Sequence, residues 1–284
     1  MKTKLTAIYG LKYNPFLPDV PIEAIHTHMG LENFCWKIEH HFIRDGGFAL
    51  ISGDPGTGKS VLLRLLAHKL SQLRDVQVGV LTHPSARLSD FYRELGDIFG
   101  VPLMAHNRWC SFKNLRERWK THIESTLLRP VLFIDEAQEM QPVVLNELRL
   151  LTSTQFDSRV LLSVVLAGDQ RLNDKLRRDE LIPLGSRIRM RFNAEYASTD
   201  QLMQSLSYLL ESAGNLNLMT TELMRTLCEH AMGNYRVLCT MANELLTTAA
   251  LQEKTQLDEK LYLECFEVKP SARKQKNAAG GFRG

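Results

Sequence analysis

The sequence predicts an α/β protein, a three-layer arrangement of helices around a parallel sheet, continued by a smaller all-helical domain. Three observations carry that prediction. Continuous apolar, β-rich runs alternate with amphipathic helical segments over the first two-thirds of the 284 residues. A glycine-rich loop joins the first of these runs to the helix after it. Beyond Tyr196 the β-rich runs stop and only helical periodicity remains.

The strand candidates are FALISG (48–53), VQVGVLT (76–82), VLFID (131–135) and VLLSVVLAG (160–168). Each reads as a continuous, largely apolar run rather than an alternating one, as expected for strands buried on both faces of a parallel sheet. Between them SVLLRLLAHKL, SDFYRELGDIF and FKNLRERWKTHIESTL carry helical periodicity. Strand–helix–strand order implies right-handed crossovers and a layered α/β fold. STDQLMQSLSYLLESAG, MTTELMRTLCEHAMG and YRVLCTMANELLTTAALQ then read as helices, the first two ending at a glycine suited to a C-cap. The expected division is an α/β domain over 1–195 with an N-terminal extension, a helical domain over 196–268, and a basic, disordered tail over 269–284.

Composition is that of an ordinary globular chain, which excludes collagenous, disordered and strongly acidic classes. Lys+Arg number 35 and Asp+Glu 32, a net charge of +3. The tail holds Lys269, Arg273, Lys274, Lys276 and Arg283 and no acid, so subtracting its +5 from the total of +3 leaves the rest at −2. The first residues lack the apolar core of a signal peptide, and no apolar run approaches the roughly 20 residues of a membrane span. The five cysteines are odd in number and form no CxxC pair, which argues against a disulfide framework or a zinc site. Cys228 and Cys239 fall in apolar helical patterns and read as buried thiols. A cytoplasmic protein without a membrane partner is expected.

Asp54, Pro55, Gly56, Thr57, Gly58, Lys59 and Ser60 follow Gly53 in a GxxxxGKS pattern. Glycines let backbone N–H groups turn toward an anion, and the helix N-terminus adds partial positive charge. Lys59 would pair with the β- and γ-phosphates of ATP, and the Ser60 hydroxyl would ligate Mg²⁺. The third apolar run ends in Asp135-Glu136. Hydrolysis needs a metal held in place and a water oriented or deprotonated. Asp135 fits the first task and Glu136, as catalytic base, the second.

The loop GDPGTGKS, the strand VLFIDEAQ, and the later GSRIRMRF and GNYRVL resemble the AAA+ ATPases. Within them YGLKYNPF, DGGFALISGDPGTGKS, IDEAQEM, LAGDQRL and GNYRVLCTMANELLTTA resemble the ExeA-like branch. That branch holds general-secretion ATPases and the transposition target-selection regulators of the TnsC and TniB type. The resemblance spans residues of about 8–255 and implies the AAA+ P-loop NTPase sheet followed by a small helical lid. It also implies four further roles. Asp169 or Gln170 would take the place of the polar γ-phosphate sensor, where Asn, Ser or Thr is usual. Arg187 would be the arginine finger offered to a neighbour's ATP, although Arg187, Arg189 and Arg191 also read as a basic edge strand. Arg236 would be the lid arginine touching ATP in its own subunit. The segment from Tyr13 to Phe16 would pack near the adenine, with a core anchor as the other reading of Phe16.

An ATPase core does not disclose its substrate. Residues 105–120 carry Arg108, Lys113, Arg116, Arg118 and Lys120 against Glu117 alone; residues 171–191 carry seven Lys/Arg against Asp174, Asp179 and Glu180. Arg108, Lys113 and the loop containing Ser85 and Arg87 are the candidate contacts to duplex DNA phosphates; solvated helix faces are the other reading. Trp109 and Trp119 read as packing residues. The expected function is an ATP-dependent, DNA-binding regulator of transposition. It would assemble head to tail as a ring or filament on duplex DNA and present the DNA to a transposase and a target-selecting protein. The alternatives are a general-secretion ATPase for envelope assembly, which would be expected to carry a membrane helix, an assembly scaffold in which hydrolysis is a timer, and, more weakly supported, a replication-initiator or clamp-loader-like ATPase.

Overall fold

The computed structural model describes residues 6–103, 107–155 and 158–266, so the basic tail lies outside the described residues. Helix α1 (Met29–Lys37) leads through a π-helical turn to strand β1 (Gly47–Gly53) and helix α2 (Lys59–Ser71). Next come β2 (Val76–Leu81), α3 (Leu88–Phe99), α4 (Arg108–Thr126), β3 (Arg129–Ile134) and α5 (Pro142–Leu151). Strand β4 (Ser163–Gly168), α6 (Gln170–Leu176) and β5 (Ile188–Ala194) complete the α/β part. The helical part is α7 (Thr199–Ala213), α8 (Thr221–Ala231), α9 (Tyr235–Leu251) and α10 (Glu259–Phe266).

The five strands lie in the order β2-β3-β4-β1-β5, every pair parallel. The central strands explain their own apolar runs. Phe48, Leu50, Leu132, Ile134, Val164 and Leu166 enter one core with α3, α4 and α5. The alternate residues Ala49, Ile51, Val131, Phe133, Val165 and Ala167 enter a second core with α1 and α2. Both faces are dry, and both parities are apolar apart from the small buried hydroxyls of Ser52 and Ser163.

Strand β5 is the basic edge strand that the GSRIRMRF segment allowed. Met190 and Phe192 face the α1–α2 core, while Arg189 and Arg191 are exposed. The 160–168 run is shorter than expected as a sheet strand. Arg159–Val160 instead pairs antiparallel with Ser153–Thr154 in a small separate ladder.

The change of pattern near 195 coincides with the end of β5 at Ala194 and the capping box that Ser198 and Gln201 form on α7. Gly214 caps α7 at φ 100 as expected. At the end of α8 the left-handed cap is Met232 at φ 49, with Gly233 following at φ 83. The N-terminal extension departs from its assignment to the α/β domain. Tyr9, Leu11 and Phe16 are buried in the helical core, and the Tyr9 hydroxyl donates to Lys254 O at 2.9 Å. Cys228 is also buried there, its thiol pushed up to about 12 by that burial.

Trp119 packs edge-on against Phe99 in the core, as expected. Trp109 does not pack: it is 72% exposed, stacked on Phe112 at 6.1 Å between ring centres. It occupies the first turn of α4, on the side left open to solvent. Arg108 also departs from a free DNA-facing cation. Its guanidinium is bidentate with the buried Glu147 of α5, with Nε donating at 3.0 Å, and the buried Tyr92 hydroxyl donates to the same carboxylate. Glu147→Ala strips Tyr92 of its partner in a dry site, and should cost about 2–3 kcal/mol. Urea unfolding is the measurement, and the Tyr92→Phe/Glu147→Leu double variant, which leaves no orphaned group, should recover most of the loss.

Candidate active site

Strands β3, β4 and β1 are neighbours, so their C-terminal ends bring residues 135–136, 168–170 and 53–60 to one edge of the sheet. Ligands of open α/β sheets bind at that edge, where the strand order reverses. Ser60 is exposed in the first turn of α2, whose leading N–H groups have no partner within the helix. Thr57 Oγ1 donates to Asp54 O at 2.8 Å and shapes the loop. Lys59 is buried, with Nζ donating to Gly53 O at 2.8 Å and Asp54 O at 2.9 Å. Its ammonium is therefore folded back across the mouth of the loop, where an arriving phosphate competes for it.

The helical domain touches this loop directly. Tyr235 N–H donates to Gly56 O at 3.0 Å, and Asn234 Nδ2 donates to Pro55 O at 3.1 Å. Asn234 also caps α9, its Oδ1 accepting from Arg236 N at 3.0 Å and Val237 N at 3.2 Å. Gly56 stands at φ 86, and a Cβ there would lie 2.1 Å from Asn234 Oδ1. Arg236 is exposed in the first turn of α9, next to this contact.

Asp135 is half-buried beyond the end of β3, and its Oδ1 accepts from Glu136 N at 2.9 Å. Glu136 is exposed at φ 51, with its carboxylate held by the side-chain amide of Gln138. On the neighbouring strand end, Asp169 caps α6 through Arg171 N at 2.9 Å and pairs with the Arg171 guanidinium at 2.8 Å. That hydrogen-bonded guanidinium holds the Asp169 carboxyl below its usual range. Gln170 is exposed on the first turn of α6, its Oε1 accepting from Asn173 Nδ2 at 3.1 Å.

Arg187 lies elsewhere. Its carbonyl accepts from Phe48 N–H at the start of β1, and its Nη1 donates to Pro183 O at 2.6 Å. Gly53 lies five residue steps along the parallel strand from Phe48, roughly 17 Å at the strand rise. Arg187 is thus at the opposite end of the sheet from its own phosphate loop.

Ser85 and Arg87 are exposed in the loop between β2 and α3, and Lys113 is exposed on α4. Phe16 takes the core-anchor reading, being buried among the helices of the second domain. Two contributors were missed from the sequence: Gln138, which bridges two strand ends, and Asn234 with Tyr235, which grip the loop. An Asn directly before an apolar helix signals an N-cap, but gives no hint of a contact reaching Pro55.

Residues 43–176 match a family model described as AAA domain. A curated relative, General secretion pathway protein A of Aeromonas hydrophila, is 30% identical over 208 residues, covering 72% of this chain and 37% of the relative. The chain therefore spans little more than a third of that relative's length. Among solved structures, the Aeropyrum pernix ORC2 protein aligns with TM-score 0.71 and 14% identity, covering 89% of this chain and 70% of that one. Drosophila ORC bound to DNA aligns with TM-score 0.68 and 17% identity, covering 93% of this chain and 65% of that one. At such identities the likeness is one of fold.

Proposed function

Because residues 43–176 match an AAA domain, we propose that the chain is an ATPase that hydrolyses ATP between subunits assembled head to tail on duplex DNA, and regulates DNA transposition by presenting that DNA to a transposase. The observation that carries the reading is the position of Arg187. A guanidinium at the far end of the sheet cannot serve its own phosphate loop, but it can stabilise transferring charge on a neighbour's nucleotide.

In this reading Lys59 and the N–H groups of residues 54–60 cradle the phosphates, Arg236 reaches them from the helical lid, and Gln170 lies beside the γ-phosphate. Ser60 and Asp135 offer a hydroxyl and a carboxylate, a hard oxygen set that fits Mg²⁺, which would neutralise phosphate charge when bound. Glu136 takes the proton of the attacking water. DNA contact is supported by the exposed Ser85, Arg87 and Lys113 and by the DNA-bound state of the Drosophila neighbour. Arg108 adds only the part of its guanidinium that Glu147 leaves open. Target selection rests on the motif resemblance. The Aeromonas relative favours a second reading, a secretion-pathway ATPase.

Binding to random-sequence duplex across a salt series, with ATP, ADP and a non-hydrolysable analogue, tests the proposal. We expect large complexes with ATP and the analogue, weakening steeply with salt. Arg87→Ala or Lys113→Ala should each lower the log–log salt slope by about one per subunit. Absence of DNA binding with every nucleotide would remove the DNA reading and leave the secretion reading standing.

A further inference from the structure

We propose that Gln138 is a positioning residue for hydrolysis: its side-chain amide orients Glu136 and ties it to the strand end that faces the nucleotide. The proposal rests on Glu136 being the base. Gln138 is 5% exposed, between Glu136 and α6. Its Nε2 donates to Glu136 Oε2, and its Oε1 accepts from the Asp169 N–H at 3.3 Å. Its backbone is fixed as well, because Lys175 Nζ donates to Gln138 O and, at 2.8 Å, to Met140 O.

A carboxamide can donate to a carboxylate and accept from a backbone N–H with the two ends of one neutral group. Rotating the amide by half a turn would oppose oxygen to carboxylate and N–H to N–H, so a single orientation survives. Gly168 makes the approach possible: a Cβ there would lie 2.5 Å from Gln138 Oε1. These are two independent signs that the end of β4 is shaped around this amide.

The functional consequence follows from where Glu136 stands. It is exposed, on a left-handed residue, with Gln138 as the side chain that holds its carboxylate. A general base works from a fixed geometry, and a displacement of about 1 Å can cost about 100-fold. A third group that orients the base is the usual remedy. Here the orienting group is anchored on the Asp169 N–H, in the junction between β4 and α6. A displacement of that junction on nucleotide binding would be felt at the base.

The test compares Gln138→Met, Gln138→Glu and Glu136→Gln by steady-state ATP turnover, equilibrium ATP binding and thermal melting. For Gln138→Met we expect kcat to fall about 10- to 100-fold, with Kd for ATP unchanged within about twofold. Gln138→Glu keeps the length of the side chain but, ionised, cannot donate to the Glu136 carboxylate, so its kcat should fall in the same range.

The other charges facing this corner are Asp135, Glu139 on the same turn, Asp169, Arg171 and Lys175 around α6, and Lys59 from α2. They are common to wild type and variant. Wild-type turnover in Gln138→Met or in Gln138→Glu, or a kcat loss matched by lost ATP affinity or a lost fold, would each overturn the proposal. If Glu136→Gln turned over normally, the base assignment itself would fail. If Glu136→Gln were inactive and Gln138→Met fully active, only the positioning role would fail.

Discussion

Glu136→Gln should bind ATP as well as the wild type and turn it over about 100- to 10,000-fold more slowly, so that the protein accumulates with ATP in place. The size follows from what is removed. An amide cannot take a proton from water at neutral pH, while the shape of the side chain is kept. The surroundings also favour a clean result. Gln138 Nε2 donates to Glu136 Oε2, and an amide oxygen at that position accepts the same hydrogen bond. The Asp135 Oδ1 contact is to the backbone N–H of residue 136, which the substitution does not touch. Phosphate release under steady state gives the rate, and retention of labelled ATP through an unlabelled chase gives the trapping. If Arg187 serves a neighbour, trapped ATP should also stabilise assemblies, visible as larger species by light scattering.

The central strands were legible in the sequence because both of their faces are dry, which forces an unbroken apolar run. The phosphate loop was legible because its chemistry fixes residue types at fixed spacings between a strand and a helix. Strand β5 gave a weaker signal for a physical reason. An edge strand covered on one face alternates, and here the open face carries Arg189 and Arg191. The same alternation is compatible with a row of finger candidates.

Trp109 shows the converse limit: helical periodicity places it on α4 but does not decide its exposure, and a tryptophan defaults to the core. The packing of Tyr9, Leu11 and Phe16 with the helical domain is a contact across most of the chain, so no local pattern announces it. Gln138 is a single polar residue after Asp-Glu-Ala. Its role depends on the register that sets β3 beside β4, which the sequence does not display.

The second large effect is expected at Gly56. Alanine there meets two obstacles: the φ of 86, which costs a residue bearing a Cβ about 1–2 kcal/mol, and a contact of 2.1 Å with Asn234 Oδ1. The backbone obstacle is intrinsic to position 56; the contact belongs to the pair. Relief of the contact must separate α9 from the loop. That separation breaks the bonds from Tyr235 N to Gly56 O and from Asn234 Nδ2 to Pro55 O. Arg236 moves with them, since its N–H is capped by Asn234. ATP turnover in Gly56→Ala should fall about 10-fold or more.

Asn234→Ala loses the cap and the Pro55 bond, but leaves the loop backbone unstrained, and should be milder. In the double variant the contact is gone, leaving the φ penalty together with the lost cap and Pro55 bond. It should therefore retain about fivefold more kcat/KM than the product of the single effects, a coupling of about 1 kcal/mol. Strictly additive losses would mean that the lid's grip on the loop has no part in turnover. Coupling of the expected sign would make the Gly56–Asn234 contact the place where the lid's position is transmitted to the phosphates.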